Sequence, residues 1–341
     1  MIDPKSGEFF IDLIEQVSGL KYSHPMAVKF ANSAWDSWEE QGFSRGNDTS
    51  DVIAQPHIIF NNYYSDIIKA NNLEYKEIYY CLAKTRELNA YASTTQNGDY
   101  VVVFDSELYA FINDIIITCI VCVYSHPSDG EIEFYFNHIF NLLLEFKGLK
   151  KSNLPDKAGN EFLKIITKDY ELTMLGSYCG AAIYAFIICH ELSHHMLGHT
   201  KLSKIKMAVF SKNNTEYFDM NETSFKEEYE ADEMGFKLYV NVIKKYENLD
   251  NLKINNQFFS IPLFFFKILE LLELLDLFSE NTTNNNTHPN PKLRHQRLKD
   301  IKNSINFIEN TEFYDALMEV FSKLYEWSYK KIETKNKESP L

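Results

Sequence analysis

Apolar and polar positions along the chain fall into long helical patches broken by one short extended region. Residues 1 to about 80 read as amphipathic helices, interrupted at His24-Pro25 and Gln55-Pro56, where proline cannot continue a helix. The period then changes. Residues 88–93 and 100–104 alternate as strands do, and Asn97-Gly98 between them is a strong hairpin signal. Asp105 or Ser106 next caps a helix running through Glu107 and the apolar residues 115–123. Polar turns near residues 127–130 and 155–159 separate further helices. An uncharged run over residues 172–189 leads straight into His190 and Glu191. Its spacing predicts one helix from near Thr173 to Gly198, whose missing Cβ suits a left-handed cap. Residues 201–223 are polar and read as a loop. Helical spacing resumes at Ser224, recurs in "IPLFFFKILELLELLDLF", and returns from Lys292 and over residues 311–331, ahead of a frayed, charged end. The loop "SENTTNNNTHPNP" precedes Lys292. The expected fold is a helix-dominated α+β protein with one small sheet. Its expected parts are a helical N-terminal region (residues 1–80), a core (81–300) and a C-terminal helix with a tail (301–341).

Charge narrows the function classes. With 34 Lys and Arg against 48 Asp and Glu, the net charge is −14, and no basic stripe appears. Phosphate binding needs such a stripe, so no nucleic-acid partner is expected. The five cysteines, Cys81, Cys119, Cys122, Cys179 and Cys189, are sparse, odd in number and mostly set in apolar runs. They read as reduced thiols of a cytoplasmic protein rather than a disulfide framework. Cys119 and Cys122 form a CxxC, but no second CxxC or redox-type βαβ context accompanies it. Asp3, Lys5, Glu8 and Asp12 deny the N-terminus the apolar core of a signal peptide. The uncharged run at 172–189 holds Gly176, Ser177 and Gly180 and ends in a histidine and a glutamate. It reads as a helix buried in protein, not in a membrane. The chain is expected to be soluble and cytoplasmic.

The candidate chemistry lies in "CHELSHHMLGH" at residues 189–199. His190-Glu191-Leu192-Ser193-His194 is an HExxH. On a helix, residues i and i+4 share a face, so both imidazoles can reach one Zn²⁺ at about 2.0–2.1 Å while Glu191 sits beside a bound water as general base. The apolar approach "AAIYAFIIC" sets these groups on a buried, rigid scaffold. An acidic helix follows, "EEYEAD" at 227–232, and a carboxylate can be the third ligand. Glu228 and Asp232 are spaced i, i+4, so one can ligate while the other buttresses a ligand; Glu227 and Glu230 are the alternative ligands. His199 is not the third ligand. The metzincin pattern needs Gly and His seven and ten residues after its first His, whereas Gly198 and His199 fall at eight and nine. His195 and His199 form their own i, i+4 pair, rotated about 100° from the metal face.

HELSHHMLGH followed by EYEAD resembles the gluzincin metallopeptidases of the HtpX and CAAX-prenyl-protease type, whose pattern is HExxH and then ExxxD on a second helix. That resemblance implies Glu228 as third ligand and Asp232 as its supporting residue. "LNAYA" before "VVVFDSEL" resembles the family's edge strand above the active site, implying substrate contacts from Asn89, Ala90, Tyr91 and Ala92. "THPNPKLRHQRL" resembles its downstream HP…R element, implying a catalytic-cleft role for His288 and a supporting one for Arg294. The membrane helices of those relatives are missing. Among soluble relatives, the chain is similar to the Lit-type phage-exclusion peptidases, which share the apolar run into HE(I/L)SH, a nearby EExEAD and a later THP. The resemblance implies one catalytic zinc ion, a protein or peptide substrate, and a place in phage defence. The competing reading is a zinc-binding regulatory or sensor protein with little hydrolysis, which the intact Glu191 opposes.

Overall fold

A computed structural model of the chain describes residues 54–76, 78–83, 90–94, 100–105, 108–125, 127–146, 170–200, 208–210, 215–217, 225–247, 258–276, 289–305 and 311–338. The expected helix break at His24-Pro25 and the turn at 155–159 lie outside the described residues. Helices dominate what is described. In chain order the elements are α1 (Ala54–Asn71), β1 (Ile78–Ala83), β2 (Ala90–Thr94), β3 (Tyr100–Asp105), α2 (Leu108–Tyr124), α3 (Asp129–Phe146) and α4 (Tyr170–Leu197). They continue with β4 (Ala208–Phe210), β5 (Thr215–Tyr217), α5 (Phe225–Glu247), α6 (Ile261–Asp276), α7 (Pro291–Ser304) and α8 (Glu312–Glu338). The chain divides into two compact units. One takes residues 1–85, 89–106 and 191–222; the other takes 86–88, 107–190 and 223–341. The division falls inside α4, between His190 and Glu191.

In the first unit, Pro56 occupies the first turn of α1, where its missing N–H has no helical partner to lose. The helix ends at Asn72, which takes a left-handed φ of 51°, while the Leu73 N–H donates back to the Ile68 carbonyl at 3.0 Å. The sheet has the order β1-β3-β2. β2 and β3 are antiparallel, from Ala90 opposite Phe104 to Thr94 opposite Tyr100; the expected Asn97-Gly98 turn lies outside the described residues. β1 runs parallel to β3, from Ile78 opposite Tyr100 to Ala83 opposite Asp105. This strand corrects the helical reading of residues up to 80: "IYYCLA" is rich in aromatic and branched side chains, and its pairing with a strand some twenty residues on overrides local pattern. Tyr100, Val102 and Phe104 share one face of β3. Val102 and Phe104 are buried, and Phe104 meets Phe60 of α1 edge-on, with ring centroids 6.1 Å apart. Within the stretch read as a loop at 201–223, β4 and β5 pair as a short antiparallel hairpin, Ala208 opposite Tyr217, and this too corrects the sequence reading.

In the second unit, α2 packs on α3 and α8, α6 on α7 and α8, and α7 on α5. α4 crosses α2 closely and antiparallel. Gly176 lies against Ile117, and Gly180 lies against Asn113 so tightly that a Cβ at either glycine would overlap its neighbour. Local signals set the ends of the other helices. At α3, the Glu131 carboxylate reaches back over the first turn and accepts from the Ser128 N–H at 2.8 Å and from its hydroxyl at 2.7 Å. At α7, Pro291 opens the helix and the Asn290 side chain accepts from the Lys292 N–H at 3.0 Å. The Tyr239 hydroxyl donates to the Phe258 carbonyl at 2.7 Å and ties α5 to the start of α6.

Among the described residues, α4 holds the one stretch long and apolar enough to cross a membrane, Leu175–Leu197, and 78% of its apolar window is buried inside the protein. Cys119, Cys122, Cys179 and Cys189 are all free thiols. Burial pushes Cys122 up to about 12 and Cys119 well above its ordinary value, so neither thiol of the CxxC is a thiolate near neutral pH.

Candidate metal centre

The site begins with the length of α4. Its uncharged stretch reaches His190 without a break, so the motif that follows starts inside the protein. His190, Glu191 and His194 are 7, 3 and 6% exposed. α5 supplies the opposing face. Glu228 and Asp232, each 2% exposed, lie one turn apart on it. Gly235 lies two turns beyond Glu228 on that face, and a Cβ there would stand 2.8 Å from both the Cα and the backbone nitrogen of His190. Glycine therefore allows α5 to approach the α4 backbone at the first histidine.

Both ring nitrogens of His190 face carboxylates. Nδ1 lies 3.0 Å from Asp232 Oδ1, and Nε2 lies 3.7 Å from Glu228 Oε2. Asp232 is in turn gripped by α7, where Arg294 donates from Nε to Oδ2 at 2.8 Å and from Nη2 to Oδ1 at 2.7 Å. The same Nη2 reaches Glu228 Oε2 at 3.2 Å. This bidentate fork fixes the carboxylate plane as well as its charge. Burial works to raise the Asp232 pKa, but the Arg294 guanidinium and the hydrogen bonds from Arg294 and His190 outweigh it and hold the carboxyl below its ordinary value. Beneath the network, Arg294 lies over the Phe266 ring at 4.9 Å, and Phe186 meets Phe236 and Phe266 edge-on.

One ligand-capable atom from each of His190, His194 and Glu228 lies within 4.8 Å of the others, and all three residues are buried. This group can hold a metal ion. The donor set fits. A first-row divalent ion at about 2.0–2.1 Å from tetrahedral ligands separates them by roughly 3.3 Å, close to the 3.7 Å between His190 Nε2 and Glu228 Oε2. A ligating histidine normally turns its other ring nitrogen toward a carboxylate, and His190 Nδ1 lies 3.0 Å from Asp232 Oδ1. Asp232 and Glu228 both face the Arg294 guanidinium, and a cation held by this group would offset part of their negative charge.

Of the other expected site residues, Ala90, Tyr91 and Ala92 lie in β2, an edge strand of the described sheet. Asn89 and His288 lie outside the described residues. Glu227 and Glu230 are half-buried, and Glu230 pairs with Lys226 at 3.5 Å on the outer side of α5. Three relationships escaped the sequence reading: Gly235 against His190, His199 against His194, and the stack of His195 on Tyr100 at 4.2 Å. A glycine inside a helix, seven residues past Glu228, was the one available signal for the first.

A two-imidazole, one-carboxylate group of this kind is compatible with a metallopeptidase. The model of the family described as peptidase U49 matches residues 130–317, more than half of the chain, from α3 through the start of α8. The chain belongs to the peptidase U49 family. No curated protein and no solved structure matches it.

Proposed function

We propose that this peptidase is a zinc-dependent endopeptidase of gluzincin type, with His190, His194 and Glu228 as the ligands of one ion and Glu191 as general base. The single observation that carries the reading is the orientation of His190: Nδ1 toward Asp232 at 3.0 Å and Nε2 toward Glu228 at 3.7 Å. When bound, zinc supplies Lewis-acid polarisation of a water and of the scissile carbonyl. Glu191 takes a proton from the attacking water and passes it to the leaving amine. Asp232 keeps the His190 proton on Nδ1, and Arg294 keeps Asp232 ionised and in plane. β2 offers backbone groups with which an extended peptide can pair, through residues 90–92, and Asn89 is assigned to the same role from the sequence resemblance. His288 is proposed, from the sequence resemblance, to steady the tetrahedral oxyanion. A role in phage exclusion rests on the sequence resemblance alone, and comparing cleavage in lysates of infected and uninfected cells tests it.

The test of the centre is metal analysis of the purified chain. One zinc per chain, removed by a chelator and absent from His190→Ala, supports the reading. A wild-type protein that takes up no zinc ends it.

A further inference from the structure

His199 sits one residue beyond the glycine that ends α4. Gly198 takes a φ of 78°, its N–H donates to the His195 carbonyl at 3.2 Å, and the His199 N–H donates to the His194 carbonyl at 2.9 Å. A helix that turns back in this way lays residue i+5 beside residue i. Two side-chain pairs follow. His195 Nδ1 lies 3.2 Å from Thr200 Oγ1, and His194 Nδ1 lies 3.0 Å from His199 Nδ1, the latter rings inclined at 66°.

The second pair bears on the metal centre. Two imidazole nitrogens at this distance share one proton, so one ring donates and the other accepts. A histidine that presents Nε2 to an ion carries its proton on Nδ1. Taking the proposed centre as its premise, we infer that His199 is a positioning residue, accepting the Nδ1–H of His194 and so fixing the tautomer and ring plane of the second ligand. His199 then keeps its own proton on Nε2. The two ligating histidines are supported differently: His190 by a carboxylate anchored to Arg294, His194 by a neutral ring anchored to the helix cap. Gly198 belongs to the same device. Only its left-handed backbone returns residue 199 to residue 194, and a side chain there is strained.

Full-length wild type, His199→Ala and His199→Asn test this, because an Asn side-chain oxygen can accept close to where Nδ1 does. Zinc affinity by chelator competition and the visible spectrum of the cobalt-loaded protein are the readouts. His199→Ala is expected to weaken zinc binding by about 10–100-fold and to alter the cobalt spectrum, with His199→Asn recovering most of both. Wild-type affinity and spectrum in His199→Ala overturn the inference, as does equal damage in both variants. If His199→Ala fails to fold, nitrogen-15 shifts of the histidines in the metal-free wild type decide. They are expected to show Nδ1–H on His194 and Nε2–H on His199, and the reverse assignment overturns the inference. A wild type that binds no zinc sinks the centre itself, a result distinct from zinc binding that is indifferent to His199.

Discussion

A Cβ on Gly235 would stand 2.8 Å from the backbone nitrogen of His190. α5 therefore passes α4 with no spare atom at the residue that opens the HExxH. The same face of α5 carries Glu228 and Asp232, so the separation of the two helices sets how far both carboxylates stand from the imidazole.

Gly235→Ala is expected to destabilise the protein by about 1–3 kcal/mol, the usual scale of overpacking, and to weaken zinc binding as the helices part. Denaturant unfolding and chelator competition measure the two effects. Lost stability with unchanged zinc affinity would show that the helix spacing does not govern the centre.

Single substitutions along α5 separate the acidic residues. Glu228→Ala is expected to lose zinc sharply, whereas Glu227→Ala and Glu230→Ala keep it, because Glu228 alone of the three is buried toward His190. Asp232→Asn is expected to fall between, by about 10–100-fold, since it orients a ligand without being one. Sensitivity at Glu230 instead would mean that the helix phase is misassigned.

His138, on α3, gives a pH dependence of its own. Burial lowers its pKa from 6.5 to about 4. The unfolded chain therefore binds more protons between those values, so the stability contributed is present above pH 6.5 and is lost as pH falls toward 4. The loss is on the order of 3 kcal/mol. Urea midpoints measured across this range are expected to fall with pH in wild type and to fall less in His138→Leu. Parallel slopes would show that His138 charges without cost in the folded state.

Much of this architecture was readable because helices announce themselves locally. The uncharged run into His190 and the left-handed stop at Gly198 define α4 from its own residues, and the i, i+4 spacings place His194 and Asp232. What was not readable depended on partners distant in sequence. β1 is a strand because it lies beside β3, and nothing within "IYYCLA" names that neighbour. Gly235 is informative only once the backbone of His190 is known to touch it. His199 could be excluded as a ligand by spacing, yet its contact with His194 is created by the cap and appears only in three dimensions. Helical spacing from Lys292 predicted α7 to within a residue of its start at Pro291, but not that Arg294 would reach back to Asp232, 62 residues earlier.

The edge strand offers a test on the substrate side. β2 pairs only with β3 among the described strands, through Tyr91 opposite Val103. Tyr91→Pro removes a backbone donor there, and it is expected to damage peptide cleavage more than zinc content. Equal loss of both, with unfolding, would assign β2 to the scaffold alone.

The most direct measurement concerns Glu191, buried one residue past the first histidine and assigned no contact with the ion. Glu191→Gln keeps its size and cannot take up the proton. Zinc content and peptide cleavage should be determined on the same preparation of wild type and variant. The predicted result is one zinc per chain in both, with cleavage lowered by at least about 10²-fold in the variant. Zinc lost from Glu191→Gln, or cleavage undiminished with zinc retained, would contradict a metal-assisted peptidase with Glu191 as its base.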